Sequence, residues 1–190
     1  MMMQVESDAW SHGQIESKLW LCQEFEHHHA YYLPKNIAIY GGWYGLTAFL
    51  LLTRQHIQIQ KIRSYDIDPA CEPIADKINN AWELDEWKFK AFTADCNDII
   101  WSEDSEWTPN IIINTSTEHF TKDDWWTNIP TGMFVVLQGT NMEADDHIAG
   151  CATFEDFQER FPTQTTFYTG IKSFAYPDKS FDRFMIVGKK

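Results

Sequence analysis

Four short stretches of this 190-residue chain carry residue types from which a ligand site is built. The first is Gly41-Gly42-Trp43-Tyr44-Gly45, directly after the apolar run Asn36 to Tyr40. Glycine there lets the backbone turn tightly and approach a ligand closely. The second is Tyr65-Asp66-Ile67-Asp68-Pro69. Asp66 follows the glycine loop at about the spacing expected of a carboxylate that accepts hydrogen bonds from ribose hydroxyls. The third is Phe92-Thr93-Ala94-Asp95-Cys96-Asn97, in which Asp95 offers an acceptor for an amino group. The fourth, Asn114-Thr115-Ser116-Thr117-Glu118-His119-Phe120, offers a histidine, the natural general base near neutral pH, beside an acid.

Weaker candidates flank these. Gln14 and Lys18 share one face of an expected N-terminal helix, at i and i+4, and Trp10 precedes it. Asp145-Asp146-His147 follows an expected strand, but consecutive acids point apart on a regular backbone, so no metal site is expected. The run His27-His28-His29 fans around a helix end and cannot chelate jointly.

These stretches need strands and helices to position them, and the hydrophobic pattern supplies both. Ser11 to about His29 reads as a helix, with Ile15, Leu19, Cys22 and Phe25 at spacings of three and four. Strands are expected at Asn36–Tyr40, Ile57–Tyr65, Trp87–Thr93, Pro109–Ile113 and Gly132–Gln138. Between them lie helices at Leu46 to about Gln55, at Pro69 to about Asn80 with Asp68 as its cap, and from Thr121. A further helix spans Thr153–Phe161. Thr165–Phe174 and Arg183–Val187 are joined by a turn around Tyr176-Pro177-Asp178, too short for anything but an antiparallel hairpin. This alternation predicts one α/β domain over residues 1–190, with residues 1–30 as a helical cap.

Composition removes several classes. The net charge is -13 and no Lys/Arg run occurs, which argues against a nucleic-acid partner. Cys22, Cys71, Cys96 and Cys151 are widely spaced without a CxxC, as for small hydrophobes in a reducing compartment. The start MMMQVESDAW lacks the features of a signal peptide, and the apolar run near Leu46–Leu52 is too short to span a bilayer. A cytoplasmic protein without a membrane partner is expected.

Five β-α units closed by a hairpin resemble the class I S-adenosylmethionine-dependent methyltransferases, whose seventh strand inserts antiparallel. The resemblance covers roughly residues 36–190. It implies a Rossmann-like three-layer sandwich with a seven-stranded, mostly parallel sheet, and S-adenosylmethionine as cofactor. Gly41, Trp43 and Gly45 take the places of the family's G-x-G-x-G loop, so Trp43 replaces the middle glycine, and Ile39 stands where an acid is usual. A nicotinamide-type G-x-G-x-x-G would need its first glycine at Tyr40.

By the resemblance, Gly41, Gly42, Trp43, Gly45, Asp66, Ile67, Asp95, Cys96 and Asn114 bind the cofactor, with Asp95 and Cys96 at the adenine. The same likeness places His119 and Glu118 in catalysis and Trp10, Gln14, Lys18, Tyr44 and Ser116 near a small-molecule acceptor. The prolines of amino-methylating relatives are missing after Asn114, which argues against adenine or glutamine as acceptor. Other uses of the same cofactor, or a non-catalytic module of the same fold, stay open at this point.

Overall fold

The structure, a computed structural model, describes residues 5–28, 34–54, 56–83, 87–101, 107–177 and 179–190. Seven strands form one sheet: β1 (Lys35–Tyr40), β2 (Ile59–Asp66), β3 (Phe89–Thr93), β4 (Ile111–Asn114), β5 (Phe134–Thr140), β6 (Thr165–Ala175) and β7 (Ser180–Lys189). Their order is β3-β2-β1-β4-β5-β7-β6. β1 to β5 pair in parallel, while β7 runs antiparallel between β5 and β6. The expected hairpin ending is therefore present; Asp178, in its expected turn, lies outside the described residues.

The helices are α1 (His12–His28), α2 (Leu46–Leu52), α3 (Cys71–Ile78), α4 (Asn80–Glu83), α5 (Asp124–Thr127) and α6 (Phe154–Arg160). They cover both faces of the sheet, and the two-residue period of the strands decides which side chains meet which helices. On one face Ile37 and Ile39 of β1, Ile111 and Ile113 of β4, and Val136 of β5 pack with Leu21 and Phe25 of α1 and Leu51 of α2. Their neighbours Ala38, Tyr40, Ile112 and Leu137 face the other way, onto Trp125, Trp126, Phe157 and Phe161 of α5 and α6. Strands buried on both faces are what a parallel sheet demands, and β4 and β5 are accordingly buried throughout.

Local departures have local causes. The helix expected from Pro69 begins at Cys71, because Asp68 first closes a turn, accepting from the Ala70 N–H at 2.9 Å. It stops at Asn79, whose amide Nδ2 donates to the carbonyls of Ala75 and Gly45 and so ties α3 to the glycine loop. The helix after β4 is a single turn, held by the Asn97 side chain accepting from the Trp125 N–H at 3.1 Å. The second strand begins at Ile59 rather than Ile57, and the helix before it ends at Leu52. Gln55 and His29, at the expected ends of two helices, lie outside the described residues. Among the described residues, no helix is long and apolar enough to cross a membrane.

Candidate functional site

Strand order reverses between β1 and its two neighbours, β2 and β4, and the loops leaving the carboxyl ends of these strands diverge there. A cleft of about 510 Å3 lies at this edge. Its floor is the glycine loop. Gly41 has φ of 60°, and an added Cβ would stand 2.9 Å from the Ser116 Cβ. Trp43 sits at φ of 47°, the left-handed region that glycine favours, although it carries a full side chain. The loop therefore keeps a glycine-like path where its sequence departs from the glycine pattern. The Trp43 N–H donates to Asp66 Oδ2 at 2.8 Å, which holds that path.

Asp66 ends β2 and lines the cleft. Its other oxygen accepts from the Asp68 N–H at 3.1 Å. A carboxylate offers about four lone-pair sites, so Asp66 retains capacity for a ligand's hydroxyls. Asp95 accepts through Oδ1 from the Asn97 N–H at 2.8 Å and the Asn97 Nδ2 at 3.0 Å, which fixes the carboxylate at the cleft. Cys96 and Cys71 also line the cleft, and burial pushes both thiols up to about 12. They stay protonated near neutral pH and are poor nucleophiles.

The other side of the cleft is charged and buried. Thr117, Glu118 and His119 form a short 3-10 turn after β4. Glu118 is only 2% exposed; its Oε1 accepts from Arg183 of β7 at 2.9 Å, while Oε2 meets no donor among the described residues. Lys18 of α1 is also buried and donates to Gln14. Burial, then the nearby Arg183, pushes the Lys18 ammonium down to about 7, against the pull of Glu118. His119 Nδ1 lies 3.0 Å from the Asp146 carbonyl oxygen, and its ring packs edge-on against His147 at 4.9 Å. The Ala149 N–H donates to the Glu118 carbonyl at 2.9 Å, and Arg160 of α6 grips Asp123 and the carbonyls of Phe120 and Ala149. These bonds lock the loops after β4 and β5 together.

Most residues singled out in the sequence meet in this cleft: Gly41, Gly42, Trp43, Asp66, Ile67, Asp95 and Cys96 on one side, and Gln14, Lys18, Ser116, Glu118 and His119 on the other. Four do not line it. Gly45 (φ 75°) supports the turn from behind, because an added Cβ would meet the Asn79 amide at 2.6 Å. Asn114 is fully buried and accepts from the Ser116 N–H, so it shapes the loop. Tyr44 is buried with Ala9, Cys71 and Ile74, and Trp10 is a partly exposed residue at the end of a short 3-10 turn. Arg183 holds Glu118 by Oε1 alone, which fixes the direction in which the carboxylate faces.

The sequence pattern points to His147 only as the neighbour of two acids, not as the partner of His119 that the structure shows, and it does not single out Arg183. Arg183 carried no signal beyond its strand.

No protein-family model matches the chain, and no curated protein matches it by sequence. Solved structures do match. A candidate sarcosine dimethylglycine methyltransferase from Galdieria sulphuraria superposes with a TM-score of 0.69 at 11% identity, over 93% of this chain and 86% of its own. The N-methyltransferase NodS from Bradyrhizobium japonicum WM9 gives 0.65 at 11% identity, over 93% and 97%, and has also been solved with S-adenosyl-L-homocysteine. A geranyl diphosphate C-methyltransferase from Streptomyces coelicolor A3(2), solved with Mg2+, geranyl diphosphate and S-adenosyl-L-homocysteine, gives 0.66 at 9% identity, over 93% and 78%. At such identities the likeness establishes the fold: the chain has the fold of the class I S-adenosylmethionine-dependent methyltransferases.

Proposed function

We propose that the protein transfers the methyl group of S-adenosylmethionine to a small-molecule acceptor. The observation that carries this reading is the bond between the Trp43 N–H and Asp66. It joins the glycine loop and the carboxylate that would hold the ribose into one wall. Asp66 would hold the ribose hydroxyls, with Ile67 beside it. Asp95 and Cys96 would meet the adenine, and Gly41 and Gly42 would let the backbone approach the amino-acid arm. The solved relatives that carry S-adenosyl-L-homocysteine support the same cofactor here.

The cofactor's sulfonium supplies an already activated methyl group, so the protein's task is chiefly to align acceptor, carbon and sulfur. Charge favours such a ligand. Glu6, Asp8, Asp66, Asp68, Asp95 and Asp146 line the cleft, and Lys18 is the one Lys or Arg among its lining residues. That balance attracts a cationic cofactor and suits a neutral or cationic acceptor better than a phosphorylated one. Gln14, Lys18 and Ser116 line the cleft and would contact the acceptor. The carbonyl at Nδ1 of His119 leaves Nε2 as the nitrogen able to take the acceptor's proton.

Calorimetric titration of S-adenosylmethionine and S-adenosyl-L-homocysteine, with NAD and ATP as controls, tests the reading. Micromolar binding of the first pair, lost in Asp66→Ala, is expected. Absence of binding by either would overturn it. His119→Ala should keep cofactor binding and lose turnover, and full turnover in that variant would remove the base.

A further inference from the structure

We propose that Glu118, His119 and His147 form a binding site for a divalent transition-metal ion, contrary to the expectation from the sequence. Each residue presents one ligand atom, and the three atoms lie within 4.8 Å of one another. Both imidazoles are turned for the task. His119 Nδ1 lies 3.0 Å from the Asp146 carbonyl oxygen, and His147 Nδ1 lies 2.7 Å from that of Met142. A carbonyl only accepts, so each Nδ1 carries the hydrogen and each Nε2 keeps its lone pair. A carbonyl or carboxylate behind the far nitrogen is how metal-bound histidines are held in the right tautomer. His119 has both, since the Asp146 carboxylate stands 3.5 Å from the same Nδ1.

Glu118 provides the independent observation. Its carboxylate is buried, Arg183 fixes Oε1, and Oε2 meets no donor among the described residues. A carboxylate oxygen withdrawn from water and left without a hydrogen-bond donor is an acceptor still to be matched, and a metal ion held with the two imidazoles would match it. Arg183 then supports the ligand from behind by orienting the carboxylate. With metal–nitrogen bonds of about 2.1 Å the ligand atoms around an ion sit roughly 3.4 Å apart, so the three side chains would draw together on binding.

Two imidazoles and one carboxylate suit zinc, manganese, iron, cobalt or nickel, whereas calcium and magnesium prefer oxygen donors. Three protein ligands leave positions open, and all three residues line the cleft. The site stands on these side chains alone. Its use rests on the methyl-transfer reading: an ion there would take the acceptor's oxygen or nitrogen and ease loss of its proton, in place of His119 acting as an unaided base.

The test uses chelator-stripped full-length protein titrated with Co2+, followed by visible absorption and calorimetry, with Zn2+ as competitor and Mg2+ as control. One equivalent of Co2+ should bind, Zn2+ should displace it, and Mg2+ should not. His147→Ala and His119→Ala, checked for folding by circular dichroism, should each weaken Co2+ binding about tenfold or more. Absence of stoichiometric binding would overturn the proposal, as would binding that survives His147→Ala, which would place the ion elsewhere. A parallel titration with S-adenosyl-L-homocysteine separates the two readings. Bound nucleoside without Co2+ removes the metal site alone, and bound Co2+ without nucleoside removes the methyl-transfer reading alone.

Discussion

The two sides of the cleft are built on different plans. The side at β1, β2 and β3 takes its polar groups from three successive loops and fixes each one nearby. Asp66 accepts from the Trp43 and Asp68 N–H groups, and Asp95 accepts from Asn97. The side at β4 and β5 gathers Lys18 from α1, Glu118 and His147 from two loops, and Arg183 from β7. Here buried polar atoms have no partner among the described residues: Glu118 Oε2, Arg183 Nε and Gln138 Oε1. On the first side the two cleft carboxylates are each held by backbone or side-chain donors, which suits a ligand bound in one fixed pose. The other holds buried charge in reserve, where a structure records the need for something further.

Removing Arg183 should break this contrast hardest. Arg183→Met leaves the Glu118 carboxylate buried without its ion-pair partner, and unfolding in urea should show a loss of about 3–5 kcal/mol. Adding Glu118→Gln should restore part of it, since the carboxylate no longer lacks its partner, while the buried Lys18 loses the pull of Glu118. A small loss in the single variant would mean that the pair does not carry Glu118. On the other side the largest effect should come from Gly42→Ala. Its Cβ would stand 1.9 Å from the Ser64 Oγ, an overlap expected to cost about 1–3 kcal/mol and to weaken cofactor binding. Combining it with Ser64→Gly should recover stability. A fully stable Gly42→Ala would show that the floor of the cleft yields.

The same contrast explains what could be read in the sequence. The strands were legible because apolar runs such as Asn36–Tyr40 and Gly132–Gln138 are bounded by turn formers, and each closely matches a strand of the sheet. The placing of Asp66 and Asp95 at the cleft was legible because each ends a strand, and strand ends share one edge. Tyr44 misled because chain proximity to the glycine loop says nothing about which way a side chain turns; it turned into the small cluster with Ala9. Asn114 misled in the same way, buried under the loop it shapes. The pairings of Arg183 with Glu118 and of His147 with His119 were out of reach because both partners lie far apart along the chain, and local pattern and periodicity do not show which distant residues meet.

A milder change separates charge from shape on the cofactor side. Asp66→Asn keeps an acceptor for the Trp43 N–H but loses the charge. Cofactor affinity should fall about 10- to 100-fold, the range for one hydrogen bond to a charged group. Trp10→Ala, outside the cleft, should leave affinity unchanged by calorimetry. An equal loss in both variants would mean that the fall in Asp66→Asn does not report a contact with the cofactor.

The last effect sharpens the buried-charge side and is read as a slope. Lys18 is held down to about 7 in the native state, chiefly by burial, whereas an unfolded lysine titrates near 10.4. Between those values the unfolded chain binds a proton that the native chain lacks, so this group makes stability rise with pH. Its contribution is about 1.4 kcal/mol per pH unit at most. Below pH 7 both states carry the proton, the slope vanishes, and the cost of burying the ammonium is fully present. Lys18→Met should therefore be more stable than the parent at pH 7 and should lose that slope in urea unfolding at pH 7, 8 and 9. Identical slopes in the two proteins would show that Lys18 stays charged in the fold, with Gln14 and Glu118 together offsetting its burial, and the reserve of unmatched charge on this side would then be smaller than the structure indicates.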